Sequence, residues 1–229
     1  MDDIIRIGGV ISMSRRTKNI TCVGMFCAIA YVMMAFGRIP IVLFLSYDPK
    51  DIVIIIAGLL MGPLYSFMIS AIVSFLEMFT VSDTGLIGCI MNIISSCSLA
   101  CTAALIYKKI HGIKGAIIGL LSGFVLMVLV MLLWNYYVTP IYMGYPREAV
   151  KALLLPAFLP FNLIKGGINI AVTFILYRPI VTALQKANLI DMSSDFEVHS
   201  KQKRIGAILV GCLIIATCIF GILILQGII

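Results

Sequence analysis

Three polar residues, Asn162, Lys165 and Asn169, interrupt the segment LPFNLIKGGIN where the chain is otherwise apolar enough to lie in a membrane. An ionisable side chain in hydrocarbon is costly, and where one occurs it usually faces a functional cavity. Asn162 and Lys165 are three positions apart and share one face of a helix, with Asn169 one turn further along. Asparagine supplies two donors and two acceptor sites, and the lysine adds a cation. Such a face could bind the amide-like edge of a planar heterocycle.

Polar residues on other apolar segments are expected at the same depth. Glu77 stands near the end of its segment, Asn92 lies about two turns into the next, and Asn135 follows Trp134 at the end of another. Counted at about 1.5 Å per residue, these positions and the Asn162–Asn169 face fall in the outer part of the bilayer. We therefore predict one shallow ligand chamber that opens to the exterior.

Two predicted outer loops add aromatic and acidic residues to this chamber. LSYDPKDI contains Tyr47, Asp48, Lys50 and Asp51, and NYYVTPIYMGYPRE contains Tyr136 and further tyrosines. Flat aromatic walls with a few polar groups suit a planar small molecule, although tyrosine is also common at membrane interfaces. Asp51 could instead cap the helix that follows it. Glu77 could contact the ligand or neutralise Lys165.

The composition predicts an all-α integral membrane protein. Of the 229 residues, 62% are hydrophobic and 12% are charged, against about 45–50% and about 25% in soluble domains. The apolar runs of helical length are at 20–36, 52–61, 64–79, 86–107, 115–138, 161–184 and 205–229. Gly62 and Pro63 separate the second run from the third by a tight reversal. We predict a six-span bundle over 1–184, a polar cytoplasmic linker at 185–204 and an additional transmembrane helix at 205–229.

The net charge of +7 reflects membrane topology and not nucleic-acid binding. Twelve of the 17 Lys and Arg residues fall on one side of the predicted spans and four on the other, with Lys165 inside a span. The positive-inside rule then predicts a multi-pass protein of the cell membrane with a cytoplasmic N-terminus. The acidic start MDDIIRIGGV is not typical of a cleavable signal peptide, so the first span is expected to be retained.

Small residues repeat every four positions on several spans, which lets helices approach closely. Gly115, Gly119 and Gly123 predict packing inside the bundle. Gly24 and Ala28 form the same pattern on the first span, where either another helix of the bundle or a partner protein could pack.

Sequence motifs for catalysis are missing. The chain has no GxxxxGK[ST], HExxH or GxSxG motif, and His111 and His199 both fall in polar segments predicted to be cytoplasmic. We therefore predict no catalytic residues, no metal site and no cofactor. Without an ATP site, any active transport must take its energy from partner proteins.

The chain resembles the substrate-binding S components of energy-coupling factor (ECF) vitamin transporters, and the riboflavin type in particular. The resemblance covers about residues 18–184 and is carried by CAIAYVM, YDPKDI, GLLMGPLYS, WNYYVTPIY and LPFNLIKGGIN. It implies a six-helix membrane bundle that captures riboflavin from outside. It also implies a membrane coupling subunit and two cytoplasmic ATPase subunits as partners. By the same resemblance Asn162, Lys165 and Asn135 lie at the flavin, and Gly24 with Ala28 contacts the coupling subunit.

Two features depart from the riboflavin type. The span at 205–229 exceeds the usual six, and Glu77 is an acid where a riboflavin binder is not expected to have one. Another vitamin or precursor, for example a pyrimidine-type compound, is therefore an alternative ligand. A structural membrane protein with an internal hydrogen-bond network and a membrane enzyme acting on lipid are alternative functions. For the transporter we expect capture outside, closure of the 37–51 and 138–158 loops, and release when the partners reorient the bundle.

Overall fold

The computed structural model describes residues 4–7, 10–13, 15–42, 45–82, 84–187, 189, 211–212, 215–219 and 221–223. The helices in these ranges are α1 (Arg15–Gly37), α2 (Lys50–Met61), α3 (Pro63–Thr80), α4 (Gly85–Lys109), α5 (Ile113–Tyr137), α6 (Thr139–Met143), α7 (Arg147–Leu153) and α8 (Leu159–Lys186). A π-helical turn, Leu154–Phe158, joins α7 to α8. Two antiparallel hairpins are formed by β1 (Ile4–Ile7) with β2 (Val10–Met13) and by β3 (Ile39–Val42) with β4 (Leu45–Tyr47).

The six apolar runs predicted between residues 20 and 184 all form helices, and their observed ends differ by a few residues from the predicted ones. Five segments in the described part of the chain are long and apolar enough to cross a membrane: Arg16–Gly37, Pro63–Thr80, Gly85–Lys109, Ile113–Tyr137 and Arg147–Tyr177. Helix α2 has 12 residues and is therefore only about 18 Å long. It is too short to belong to that group.

Helix α2 is the central helix of the bundle. All of its residues from Lys50 to Leu59 are buried, and it contacts α1, α3, α4 and α8. A helix that is apolar on every side is buried on every side, which explains the unbroken IVIIIAGLL run. Gly62 adopts φ 104° between α2 and α3, and Pro63 begins α3. This is the reversal predicted from Gly62 and Pro63, because a positive φ favours glycine and the first turn of a helix accepts proline.

The glycines of α5 pack against α4, as predicted. A Cβ on Gly119 would lie 2.7 Å from the carbonyl oxygen of Ala103, and one on Gly123 would lie 2.4 Å from that of Leu99. The two helix backbones can therefore approach only while these positions remain glycine. Gly24 and Ala28 differ, because both are exposed on the outside of α1 and nothing lies within 4 Å of a Cβ placed on Gly24.

The segment predicted as the loop 138–158 is helical, so that prediction is wrong. Residues 139–143 form α6, residues 147–153 form α7 and residues 154–158 form the π-helical turn that leads into α8, so only 144–146 are a non-helical connection within 139–158. Pro140 stands in the first turn of α6 and Pro146 immediately precedes α7, positions where proline favours a helix start. The residues REAVKAL of α7 include strong helix formers. The other predicted loop, 37–51, contains the β3–β4 hairpin, in which Ile39 pairs with Tyr47.

The predicted linker 185–204 lies almost entirely outside the described residues, apart from the end of α8 and Leu189. Residues 211–212, 215–219 and 221–223 of the predicted seventh span are helical. The remainder of that span lies outside the described residues.

Candidate ligand-binding site

A cavity lies at the end of the bundle where α2 and α8 begin and α3 ends. Its empty volume is about 430 Å³, including the open space at its mouth. The lining residues are Arg38, Leu45, Ser46, Asp48, Thr84, Met91, Asn92, Ser95, Met131, Phe161, Asn162 and Lys165. The structure thus brings together Asn92, Asn162 and Lys165, three of the predicted site residues, from two different helices.

Lys165 is held at the cavity by a carboxylate of α2. Its Nζ lies 3.0 Å from Asp51 Oδ2 and donates to Ser95 Oγ at 3.4 Å. Asp51 also accepts hydrogen bonds from Ser96 Oγ and, at 3.4 Å, from Asn169 Nδ2. Both members of the ion pair are buried, so each offsets much of the desolvation cost of the other.

Two sequence-based alternatives for these acids are wrong. Asp51 does not cap α2, because Pro49 occupies the capping position and no side-chain cap bond is formed. Glu77 is not the ion-pair partner of Lys165, because Asp51 takes that place.

Tyr47 connects the β3–β4 hairpin to this network. Its hydroxyl donates to Asn169 Oδ1 at 3.1 Å, and the residue is buried. Burial raises the pKa of the Tyr47 hydroxyl, and the nearby Asp51 and Asp48 carboxylates raise it further. The hydroxyl therefore remains a protonated donor. A continuous chain of contacts runs from Tyr47 through Asn169 and Asp51 to Lys165.

Glu77 is the centre of a second network at the same end of the bundle. Asn92 Nδ2 donates to both of its carboxylate oxygens at 3.0 Å. Lys50 forms an ion pair with Glu77, and Arg38 forms another at 3.4 Å. Arg38 also lies 3.7 Å from Asp48, whose pKa is raised by burial. The two networks together contain three buried acids and three basic residues, so their charges balance.

Asn162 is oriented by its own helix. Its Nδ2 donates to the carbonyl oxygen of Phe158 at 2.8 Å, in the π-helical turn that precedes α8. The side chain is buried at the cavity wall. The amide thus reaches the cavity in a fixed orientation, as a specific ligand contact requires.

A second, smaller cavity adjoins the first. Its empty volume is about 240 Å³, and it shares Thr84 and Met91 with the larger cavity. Trp134 and Tyr142 are among its lining residues, as is Thr139. The predicted residue Trp134 therefore lies beside the site.

Asn135 and Tyr136 lie behind or outside these walls. Asn135 Oδ1 accepts a hydrogen bond from Thr139 Oγ1 at 3.0 Å. The Nδ2 of Asn135 is buried and has no hydrogen-bond partner among the described residues. The ring of Tyr136 packs edge-on against Tyr137, with centroids 4.9 Å apart, and lines neither cavity.

Three site residues were not predicted from the sequence: Arg38, Ser95 and Ser96. Asp48 and Lys50 were predicted only as members of an outer loop beside the chamber. The two serines follow Asn92 by three and four positions and so share its helix face, a signal that could have identified them. Of the charged residues of YDPKDI, Asp48 stands just before the buried helix α2, and Lys50 and Asp51 are in its first turn. Their burial could not be recognised without knowing that this helix is central.

The arrangement is suited to binding and not to bond cleavage. Polar groups of Asn92, Asn162 and Lys165 meet apolar walls that include Met91 and Phe161. Eight of the twelve lining residues are polar or charged, and the other four are Leu45, Met91, Met131 and Phe161. A concave site with fixed polar groups beside an apolar surface can orient a small molecule.

Comparison with known proteins gives a consistent result. Residues 18–177 match the family model of the ECF transporter, substrate-specific component. The chain is 32% identical over 190 residues to the riboflavin transporter FmnP of Bacillus subtilis (strain 168), covering 76% of this chain and 99% of that protein. It is 27% identical over 182 residues to the riboflavin transporter RibU of Staphylococcus aureus (strain TCH60), covering 75% of this chain and 95% of that protein.

A solved structure shares the fold. It is described as the S component of a bacterial ECF transporter, with a TM-score of 0.64 and 28% sequence identity, over 74% of this chain and 99% of the solved one. The solved structure agrees with the helical bundle described above. The chain belongs to the family of substrate-specific components of ECF transporters, and is therefore a transporter component and not an enzyme.

Proposed function

We propose that this chain is the membrane subunit through which an ECF transporter captures riboflavin, or a closely related flavin, from outside the cell. The observation that carries the proposal is the cavity in which Asn92, Asn162 and Lys165 meet beside the apolar side chains of Met91, Met131 and Phe161. The names of the two relatives, both riboflavin transporters, support the choice of ligand.

The chemistry of the cavity suits a flavin ring system. One edge of that ring carries alternating carbonyl and ring-nitrogen groups, which asparagine amides and a lysine can match. The other edge is apolar and suits Met91, Met131 and Phe161. The adjoining cavity places Trp134 next to this site, because the two cavities share Thr84 and Met91.

The paired charges favour a neutral ligand. Glu77 already forms ion pairs with Lys50 and Arg38 and accepts hydrogen bonds from Asn92. Its carboxylate therefore does not need a positive charge on the ligand for neutralisation. This weighs against the alternative of a positively charged pyrimidine-type compound, for which Glu77 was the main reason.

The proposed partners are a membrane coupling subunit and two cytoplasmic ATPase subunits, which supply the energy. Gly24 and Ala28 are exposed on α1, and a Cβ on Gly24 would meet open space. Two small residues four positions apart on an exposed helix face allow a partner helix to approach closely. This supports the proposal that they contact the coupling subunit.

The proposed orientation places the N-terminus in the cytoplasm and the site at the outer face. Arg16, Lys18, Lys109 and Lys186 belong to the helix ends opposite the cavity, which the positive-inside rule assigns to the cytoplasm. A fluorescent protein that matures only in the cytoplasm, fused to the N-terminus, is expected to fluoresce in cells. A dark fusion of normal abundance would contradict the orientation.

Titration of riboflavin into the detergent-purified protein, followed by quenching of flavin fluorescence, tests the ligand. We expect tight binding that Asn162→Ala and Lys165→Ala each weaken about tenfold or more, or about 1.4 kcal/mol. Asn19→Ala is the matched control, since Asn19 hydrogen-bonds Tyr65 at the opposite end of the bundle. Absence of binding to riboflavin and to other flavins would overturn the proposal.

A further inference from the structure

The chain continues beyond the part that it shares with its family. The family model ends at residue 177, and about three quarters of this chain suffices to cover nearly all of each relative. The helical residues 211–212, 215–219 and 221–223, here called the C-terminal segment, lie beyond that match.

The C-terminal segment packs along α8. A Cβ on Gly211 would lie 3.1 Å from Ile175 Cδ1, and one on Gly221 would lie 3.1 Å from Ile164 Cδ1. Cys218 is 9% exposed, whereas Ile219 is 51% exposed. The segment therefore has one side against the bundle and one side away from it.

The inward side of the segment supports the back of the ligand cavity. Ile222 packs against an apolar cluster whose members are Ile41, Leu45, Tyr47, Val150, Phe158 and Phe161. Leu45 and Phe161 of that cluster also line the cavity. Tyr47 connects the same cluster to Asn169 through its hydroxyl. The same apolar cluster thus contributes two residues to the cavity wall and is in contact with Ile222.

We propose that the C-terminal segment is a positioning element for the ligand site, which holds the β3–β4 hairpin and the start of α8 against the cavity and slows ligand release. The proposal rests on the proposed function for the identity of the ligand. Ile222 is a positioning residue in it, because it packs against the cluster that contains Leu45 and Phe161 and does not itself line the cavity.

The test compares Ile222→Ala with Ile219→Ala in the full-length protein. Both variants remove the same atoms from the same segment, one facing the cluster and one facing outward. The dissociation rate of riboflavin is measured by fluorescence recovery after dilution. We expect it to rise about threefold or more in Ile222→Ala, since such changes act mainly on the off-rate, and to stay close to wild type in Ile219→Ala. Ile222→Val should restore most of the slow release.

Amide hydrogen exchange of the ligand-free protein gives a second readout that needs no ligand. We expect faster exchange in residues 39–47 of Ile222→Ala and unchanged exchange in the middle of α4. The α4 amides are the control, because a general loss of stability would speed their exchange as well. Equal dissociation rates and equal hairpin exchange in the two alanine variants would overturn the inference. If wild-type protein binds no flavin, the proposed function fails, and the exchange comparison alone decides this inference. If Ile222→Ala does not fold, Ile222→Val is compared with Ile219→Val by the same two measurements.

Discussion

Lys165 Nζ lies 3.0 Å from Asp51 Oδ2, and this buried ion pair joins α8 to α2 beside the cavity. The same lysine lines the cavity. Lys165 therefore has two roles that experiments can separate, one in the stability of the bundle and one in ligand binding.

Lys165→Met is expected to destabilise the protein strongly, because it leaves the Asp51 carboxylate buried without its counter-ion. Breaking a buried pair from one side costs about 3–5 kcal/mol. Adding Asp51→Asn should restore most of the thermal stability but not the flavin affinity. Thermal unfolding and flavin titration of the single and double variants check this. A double variant as unstable as Lys165→Met would refute the assignment of the pair.

Lys50 and Arg38 both pair with Glu77 but differ in burial. Lys50 is fully buried, whereas the Arg38 side chain is 21% exposed. Lys50→Met should therefore cost about 3–5 kcal/mol, and Arg38→Met about 1 kcal/mol or less because water partly screens it. Thermal unfolding of the two variants gives the order. A larger loss of stability in Arg38→Met than in Lys50→Met would contradict the assignment of Lys50 as the main ion-pair partner of Glu77.

Ser74 and Ser66 lie two turns apart on the buried face of α3 and offer a matched pair. Ser66 Oγ donates to the carbonyl oxygen of Ile54 at 3.2 Å, whereas Ser74 Oγ has no hydrogen-bond partner among the described residues. Ser66→Ala should lose about 1 kcal/mol, and Ser74→Ala should be neutral or stabilising because an unpaired buried hydroxyl is removed. Equal destabilisation by both substitutions in thermal unfolding would argue against this assignment.

One added methyl group is expected to lower the stability of the protein at Gly123 and to leave it unchanged at Gly24. At Gly123 the methyl would lie 2.4 Å from the Leu99 carbonyl oxygen, whereas at Gly24 it would meet nothing within 4 Å. Gly123→Ala should therefore force α5 away from α4 and destabilise the protein by about 1–3 kcal/mol. Gly24→Ala should leave the purified subunit unchanged. Unfolding temperatures of the two proteins provide the comparison.

Gly24→Trp should block uptake while leaving flavin binding intact, if α1 contacts the coupling subunit. The control is Leu121→Trp, since Leu121 is also exposed, on α5. Flavin uptake is measured in cells that contain the coupling and ATPase subunits, and binding is measured on the purified subunit. Normal uptake by Gly24→Trp would remove this surface from the proposal.

Much of the bundle and the site could be predicted from the sequence because charged and amide side chains are rare in hydrocarbon. Asn92, Asn162 and Lys165 stood out against apolar runs, and their depths could be counted along straight helices. The partner of Lys165 could not be predicted, since both Asp51 and Glu77 lie at the right depth and only tertiary packing separates them. The short helices α6 and α7 were missed because prolines and tyrosines in that segment also suit an interfacial loop.

The π-helical turn before α8 sets the direction of every polar residue that follows it. The amide of Leu159 bonds to the carbonyl of Leu154, five positions back, so this turn holds one residue more than an α-helical turn. Each residue rotates a helix by roughly 100°. If the same five residues formed α-helix instead, Asn162, Lys165 and Asn169 would therefore turn together through about a quarter-circle relative to α7. A change that turned these five residues into ordinary α-helix would thus disarm the pocket while every binding residue kept its identity.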